Sequence, residues 1–169
     1  MTTTREDERQ VRQNAVYFFG QNNKYGEFSN WFPCRFSDGQ IIFSNTEQYM
    51  MYHKALLFKD KTMADMILKT SSPKLCKQYG RRVENFNNDV WLENCERIVT
   101  NGCYLKFSQN EELKQLLLST GNKMLVEDSP YDKIWGIGMQ NTEACKTPME
   151  HWKGENKLGK CLMEVRNSI

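Results

Sequence analysis

The chain has 169 residues, 39% of them apolar and 26% charged, a composition that fits a globular domain and excludes a disordered segment. A chain of this length buries a core without disulfide or metal staples. Lys and Arg number 23 against 21 Asp and Glu, a net charge of +2; this excludes a general DNA-binding face, which needs a concentrated basic stripe, but leaves room for a local cationic pocket.

Residues 1–13 are polar and read as a flexible lead-in or a frayed helix, with the folded domain over 14–169. The opening has no apolar h-region, so it is not a signal peptide. Val16-Tyr-Phe-Phe19 reads as a buried strand closed by Gly20. Strand character returns from Trp31 to Ile42, with Ser37-Asp-Gly39 as a hairpin turn. The periodicity then becomes helical. Ser44-Asn-Thr-Glu47 opens a helix to about Phe58, and a short helix follows over Thr62–Leu68. Ser72 caps the next helix, with Pro73 at its first position, running to about Tyr79.

The longest helix is expected from Asn88 to Phe107, with Trp91, Cys95, Val99, Cys103 and Phe107 marking its buried face. Glu111–Ser119 forms another, stopped by Gly121. Lys123–Glu127 and Lys133–Met139 read as strands, 140–155 as a long loop, and Asn156–Asn167 as a final helix. The order predicts one compact α+β domain, mostly helical, with a small antiparallel or mixed sheet. No apolar run approaches the ~20 residues of a membrane span. The six cysteines lack any CxxC pair and several sit at apolar helix positions, so they read as reduced thiols of a cytoplasmic protein. His53 and His151 lack the spacing of a zinc site.

Several residues carry possible chemistry, each beside a structural reading. Ser44-x-x-Glu47 has the form of a capping box, yet Glu47 is followed by Gln48, Tyr49, Tyr52, His53 and Lys54, an unusual setting for a plain cap. A carboxylate at a helix N-terminus keeps its charge, which suits a base or a stabiliser of positive charge. Asp132-Lys-Ile-Trp135-Gly136-Ile-Gly138 is either a turn into a core strand, or a glycine-opened backbone with a tryptophan placed to stack a base. Tyr25-Gly-Glu-Phe-Ser-Asn30-Trp31 mixes aromatics with turn formers and makes Asn30 a candidate substrate contact. Arg81-Arg82 is a solvated helix end or a phosphate clamp. Gly154-Glu-Asn-Lys-Leu-Gly159-Lys160-Cys161 nearly matches a P-loop, but it lacks the magnesium-binding hydroxyl, a preceding strand and a following βαβ core.

The order of these pieces resembles the NADAR (YbiA-like) family. The run begins with Tyr25-Gly-x-Phe-Ser-Asn-Trp, Asp38-Gly, Ser44-x-x-Glu-Gln-Tyr-Met-Met, Ser72-Pro, Gly80-Arg and Trp91. It continues through Lys106-Phe107, Leu116-Leu-Leu-x-Thr, Leu125-Val-Glu, Asp132-x-x-Trp-Gly-x-Gly and Gly154-x-Asn-x-Leu-Gly-x-x-Leu-Met. The resemblance implies a metal-independent N-glycosidase that needs no cofactor. The implied substrates are a phosphorylated ribosylamino-pyrimidine intermediate of riboflavin synthesis, or ADP-ribosylated guanine, including guanine within nucleic acid. It implies neither a membrane partner nor an obligate protein partner. Glu47 falls on the family's catalytic glutamate, Trp91 and Asp132 on active-site positions, and Trp135, Gly136 and Asn156 on motif residues near the ligand. Lys54, Arg81 and Arg82 would contact phosphate or ribose. The chain departs from many members at His53, where they carry glutamine, at Ile137, and in a longer 140–153 loop; these bear on substrate identity. A non-catalytic module that binds ADP-ribose or an NAD derivative is the alternative.

Overall fold

The computed structural model describes residues 4–169. Its elements are α1 (Arg5–Asn14), β1 (Val16–Phe18), β2 (Phe36–Asp38), β3 (Ile41–Phe43), α2 (Thr46–Leu57), α3 (Lys61–Leu68) and α4 (Pro73–Gly80). They continue with α5 (Asn88–Ser108), α6 (Glu111–Ser119), β4 (Leu125–Glu127), α7 (Asn141–Ala144) and α8 (Lys157–Ser168). The fold is α+β and mostly helical, with one parallel and one antiparallel two-stranded ladder. The residues divide into two units: those up to Ser29 with Gln115–Ser168, and Asn30–Lys114 with Ile169. Among the described residues no helix is long and apolar enough to cross a membrane.

In the first unit β1 pairs in parallel with β4, Val16 opposite Leu125 and Phe18 opposite Glu127. Val16, Phe18, Leu125 and Val126 are buried, as are Leu158, Cys161, Leu162 and Val165 along the apolar stripe of α8. The second strand expected at Lys133–Met139 does not form. Ile137 contributes one rung, its N–H donating to the Glu127 carbonyl at 3.0 Å, while the carbonyls of 133–136 turn towards the start of α8. The expected 140–155 loop contains α7 and a 3-10 turn at Met149–His151. Asp128 anchors it by accepting from the backbone and side chain of Asn141 at 3.1 and 2.7 Å, and the Trp152 indole donates to the carbonyls of Ala144 and Thr147.

Most of the expected lead-in is the ordered helix α1, begun by a Thr4–Asp7 capping box. Its Arg12 is buried, pairs with Glu8 at 3.0 Å and donates to the Cys145 carbonyl at 2.9 Å, while Glu8 accepts from Met149 N–H. A polar sequence concealed this docking because charged pairs, not an apolar stripe, carry it. Residues 1–3 of the lead-in lie outside the described residues. The aromatics of 25–28 are packing groups: Tyr25 stacks on Phe28, and Phe28 meets Phe18 edge-on at 5.7 Å.

The second unit is built around α2. The β2–β3 hairpin pairs Asp38 with Ile41, which places the turn at Gly39-Gln40, one residue later than expected, with Gly39 at φ +60°. Phe36 and Phe43 from the hairpin, Tyr49 from α2 and Ile98 from α5 form its buried cluster. Every residue from Thr46 to Met51 is buried, because α2 packs against α3, α4 and α5. Two glycines permit that crowding. A side chain at Gly80 would strike Met51, and one at Gly102 would lie 2.6 Å from the Tyr49 ring.

Candidate active site

The start of α2 is capped by the side chains of Asn45 and Gln48. Asn45 is the N-cap, its side chain accepting from Gln48 N–H at 2.8 Å, and Gln48 returns an oxygen to Ser44 N–H at 2.8 Å. The capping expected of Ser44 therefore sits one residue further on, at Asn45, and the side chain three residues later reaches back to Ser44 rather than to the cap itself. The Gln48 amide also donates to the carbonyls of Ile67 and Thr70, which locks the helix start to the end of α3. Glu47 occupies the second helical position, 6% exposed, with its N–H donating to the Asn30 carbonyl at 3.0 Å. There the helix dipole favours its ionised form. Two buried polar atoms in this stretch lack a hydrogen-bond partner: Asn30 Oδ1 and Thr46 Oγ1.

Lys54 lies on the same face of α2, two turns beyond Glu47. Burial pulls its pKa down, the Glu47 charge opposes that shift and Arg81 adds to it. Glu47, Lys54 and Arg81 thus share one electrostatic neighbourhood. Its approach is set by Gly80, which lets the end of α4 press onto Met51 and delivers Arg81 beside α2. The Lys54 ammonium stands 4.6 Å from the Phe86 ring centre and 5.6 Å from that of Trp91. Each such cation–π contact is worth about 0.5–2 kcal/mol. Arg82 is exposed and leans on Tyr79 at 6.0 Å. Burial raises the Cys76 thiol to about 12, with Glu47 adding to the shift, so Cys76 is a neutral core group. His53 turns to Tyr49, 4.3 Å between ring centres, and to Asp38.

The expected residues of the first unit do different work. Asp132 Oδ1 accepts from the N–H groups of Ile134 and Trp135, both at 2.9 Å, and its own N–H donates to Ser129 Oγ at 3.1 Å. This is an Asx-type turn that sets Trp135, which stays partly exposed. Gly136 is a close-approach position: a Cβ there would lie 2.9 Å from the Asp132 carbonyl oxygen and 3.0 Å from that of Glu127. Asn156 is buried at φ +53°, accepting from Glu127 N–H and donating to the Leu125 carbonyl, both at 3.0 Å.

The candidates therefore gather as Asn30, Glu47, Lys54, Arg81 and Trp91 in the second unit, with Arg82 close by in sequence, and as Asp132, Trp135, Gly136 and Asn156 in the first. Phe86 escaped the sequence reading because it sits in a polar connection without periodicity; its aromatic spacing to Trp91 was the available signal. Buried Lys106, 1% exposed with its ammonium 5.0 Å from the Phe107 ring centre, was read only as part of a motif. Among the described residues no three His, Cys, Asp or Glu side chains converge to hold a metal ion.

A buried carboxylate, a desolvated cation and aromatic rings suit an anion that carries a sugar and a flat ring. The chain matches the NADAR domain over residues 17–169, and it belongs to that family. It is 47% identical over 159 residues to an N-glycosidase of Acanthamoeba polyphaga mimivirus, covering 89% of this chain and 94% of the relative. It is 34% identical to Protein irg-1 of Caenorhabditis elegans, covering 84% and 74%, and 30% identical to N-glycosidase YbiA of Escherichia coli, covering 94% and 91%. The NMR structure of E. coli YbiA superposes with a TM-score of 0.75 at 29% identity, covering 91% of this chain and 83% of that one.

Proposed function

We propose that this chain hydrolyses the ribosyl C–N bond of a nucleotide-like substrate, either ADP-ribosylated guanine or a phosphorylated ribosylamino-pyrimidine, with Glu47 as the carboxylate at the anomeric carbon. The observation that carries this reading is Glu47 itself. It is buried at the start of α2, a start that Asn45 and Gln48 cap, in an electrostatic neighbourhood with Lys54 and Arg81. The N-glycosidase names of several relatives support the same bond class.

Breaking the bond builds positive charge on the anomeric carbon as the base departs. A carboxylate fixed in a poorly solvated site stabilises that charge without reorganising. It can also take a proton from the attacking water, whose oxygen bonds the anomeric carbon as the C–N bond breaks, and that proton passes on to the departing base nitrogen. An aromatic such as Trp91 or Trp135 holds the base, and Asp132 is a further proposed contact, for the leaving base or a ribose hydroxyl. Asn30 Oδ1, buried and unpartnered, accepts a ribose hydroxyl. Lys54, Arg81 and Arg82 receive phosphate, while Gly136 and Asn156 act by holding the loop that carries Trp135. The reaction calls on no metal or cofactor.

The test incubates the protein with ADP-ribosylated guanine in nucleic acid and with ribosylamino-pyrimidine phosphates, then identifies the released base by chromatography. Release from one substrate, lost in Glu47→Gln, is the expected result. Tight binding of ADP-ribose with no base released from either substrate would replace this reading with a binding module.

A further inference from the structure

We infer that Phe86 is a positioning residue that determines specificity for the phosphate end of the substrate, by holding the Lys54 ammonium against Trp91. This deepens the reading above and rests on it. An exposed phenylalanine alone is ordinary. Phe86, 45% exposed on the connection between α4 and α5, is instead braced edge-on by buried Phe58 at 5.3 Å and stands 4.6 Å from the Lys54 ammonium. Trp91 lies 5.6 Å from the same ammonium. Among the described residues no carboxylate lies within ion-pair distance of Lys54.

The result is a partly desolvated cation, placed by π faces, with donors left for an anion. Two rings fix where the ammonium sits without neutralising it, which a carboxylate partner would do. The spacing suits a phosphoribosyl group. Lys54 is seven residues past Glu47, so the two lie on one helix face roughly 10 Å apart along the axis, and the lysine stem leans back towards the helix start. A phosphate at Lys54 then leaves the anomeric carbon towards Glu47. Both proposed substrates carry phosphate on the ribose, so the phosphoribosyl end is their shared chemistry.

The experiment titrates ribose 5-phosphate, ADP-ribose and ribose by calorimetry into the wild type and three variants. Phe86→Leu keeps apolar bulk against Phe58 but has no π face, Phe86→Tyr keeps the π face, and Lys54→Met removes the charge. Phe86→Leu is expected to weaken ribose 5-phosphate and ADP-ribose roughly three- to thirtyfold, with ribose unaffected. Phe86→Tyr should stay within about twofold of wild type, and Lys54→Met should abolish the preference for ribose 5-phosphate over ribose. The inference is overturned if Phe86→Leu binds ribose 5-phosphate like wild type, if Phe86→Tyr loses as much as Phe86→Leu, or if wild type shows no such preference. Phosphate preference without base release would keep this assignment and remove the hydrolase; base release indifferent to phosphate would do the reverse.

Discussion

Two helix starts in this protein solve the same problem in opposite ways. At α8 the N–H groups of residues 155–158 donate to the carbonyls of Lys133, Gly136, Ile134 and Trp135, at 3.0–3.1 Å. The positive end of that helix is consumed by the protein's own backbone, and Asn156 beside it ties down both Leu125 and Glu127. At α2 the first donors go to the Asn45 side chain and the Asn30 carbonyl, and the same turn carries a buried carboxylate beside unpartnered Asn30 Oδ1 and Thr46 Oγ1. Buried polar atoms without partners are costly in a finished core and expected where a ligand completes the bonding. The α8 start is therefore architecture, and the α2 start is where we propose the chemistry lies.

That contrast predicts a clean separation of effects. Glu47→Gln should lower base release about 10²–10⁴-fold while the melting temperature moves by no more than about 2 °C, since Asn45 and Gln48 do the capping. A variant that melts early would return Glu47 to a structural role. Gly159→Ala should behave in the reverse sense. Its new Cβ would collide with the Leu125 carbonyl and the Asn156 side chain, costing about 3 kcal/mol and lowering the melting temperature by roughly 6–12 °C. An unchanged melting curve would mean that α8 and β4 have slack the packing does not show.

Asn156→Ala removes two buried hydrogen bonds and puts a Cβ residue with no polar side chain at φ +53°, for about 2 kcal/mol. Asn156→Gly accepts that backbone angle, so whatever stability it fails to recover measures the hydrogen bonds alone; urea melts of both variants give the split. Asp132→Asn is the smaller test. An amide oxygen can still accept from Ile134 and Trp135, so the turn and the melting temperature should hold while activity falls roughly tenfold. Full activity would make Asp132 a turn former only.

How far these roles could be read from the sequence follows from which physics sets them. The helices of the second unit were legible because Trp91, Cys95, Val99, Cys103 and Phe107 repeat on one face, and Ser72-Pro73 marks a helix start. The Lys133–Met139 strand was misread because Gly136 and Gly138 look like an interrupted strand, whereas the carbonyls there serve α8. No local pattern announces a backbone acceptor twenty residues from its donor. The Ser44–Glu47 box failed by one position, since Asn45 and Gln48 satisfy the same rule equally well and tertiary contacts of Gln48 with Ile67 and Thr70 decide between them. Motif order points to Glu47, Trp91 and Asp132, whereas the approach of Lys54 to Phe86 is set by the fold and leaves no local pattern.

The smallest effect concerns His53, whose ring packs on Tyr49, Tyr52 and Phe43 with Asp38 and Arg97 as its charged neighbours. Two tendencies oppose each other there. Nε2 lies 3.8 Å from Asp38 Oδ2, which favours the protonated ring, but that carboxylate is about half exposed and its pull is screened. Burial acts more strongly and lowers the His53 pKa below its ordinary value of 6.5, with Arg97 adding to it. As pH falls through 6.5 the unfolded chain takes up this proton before the folded one, so unfolding gains and stability declines until the folded ring also protonates. His53→Gln removes that proton from both states. Between about pH 5.5 and 7.5 its melting temperature should therefore fall less on acidification than that of the wild type, with the two curves converging in shape above His titration. Parallel curves across the window would mean that burial and the Asp38 charge cancel, and a variant that loses more on acidification than the wild type would mean that Asp38 wins.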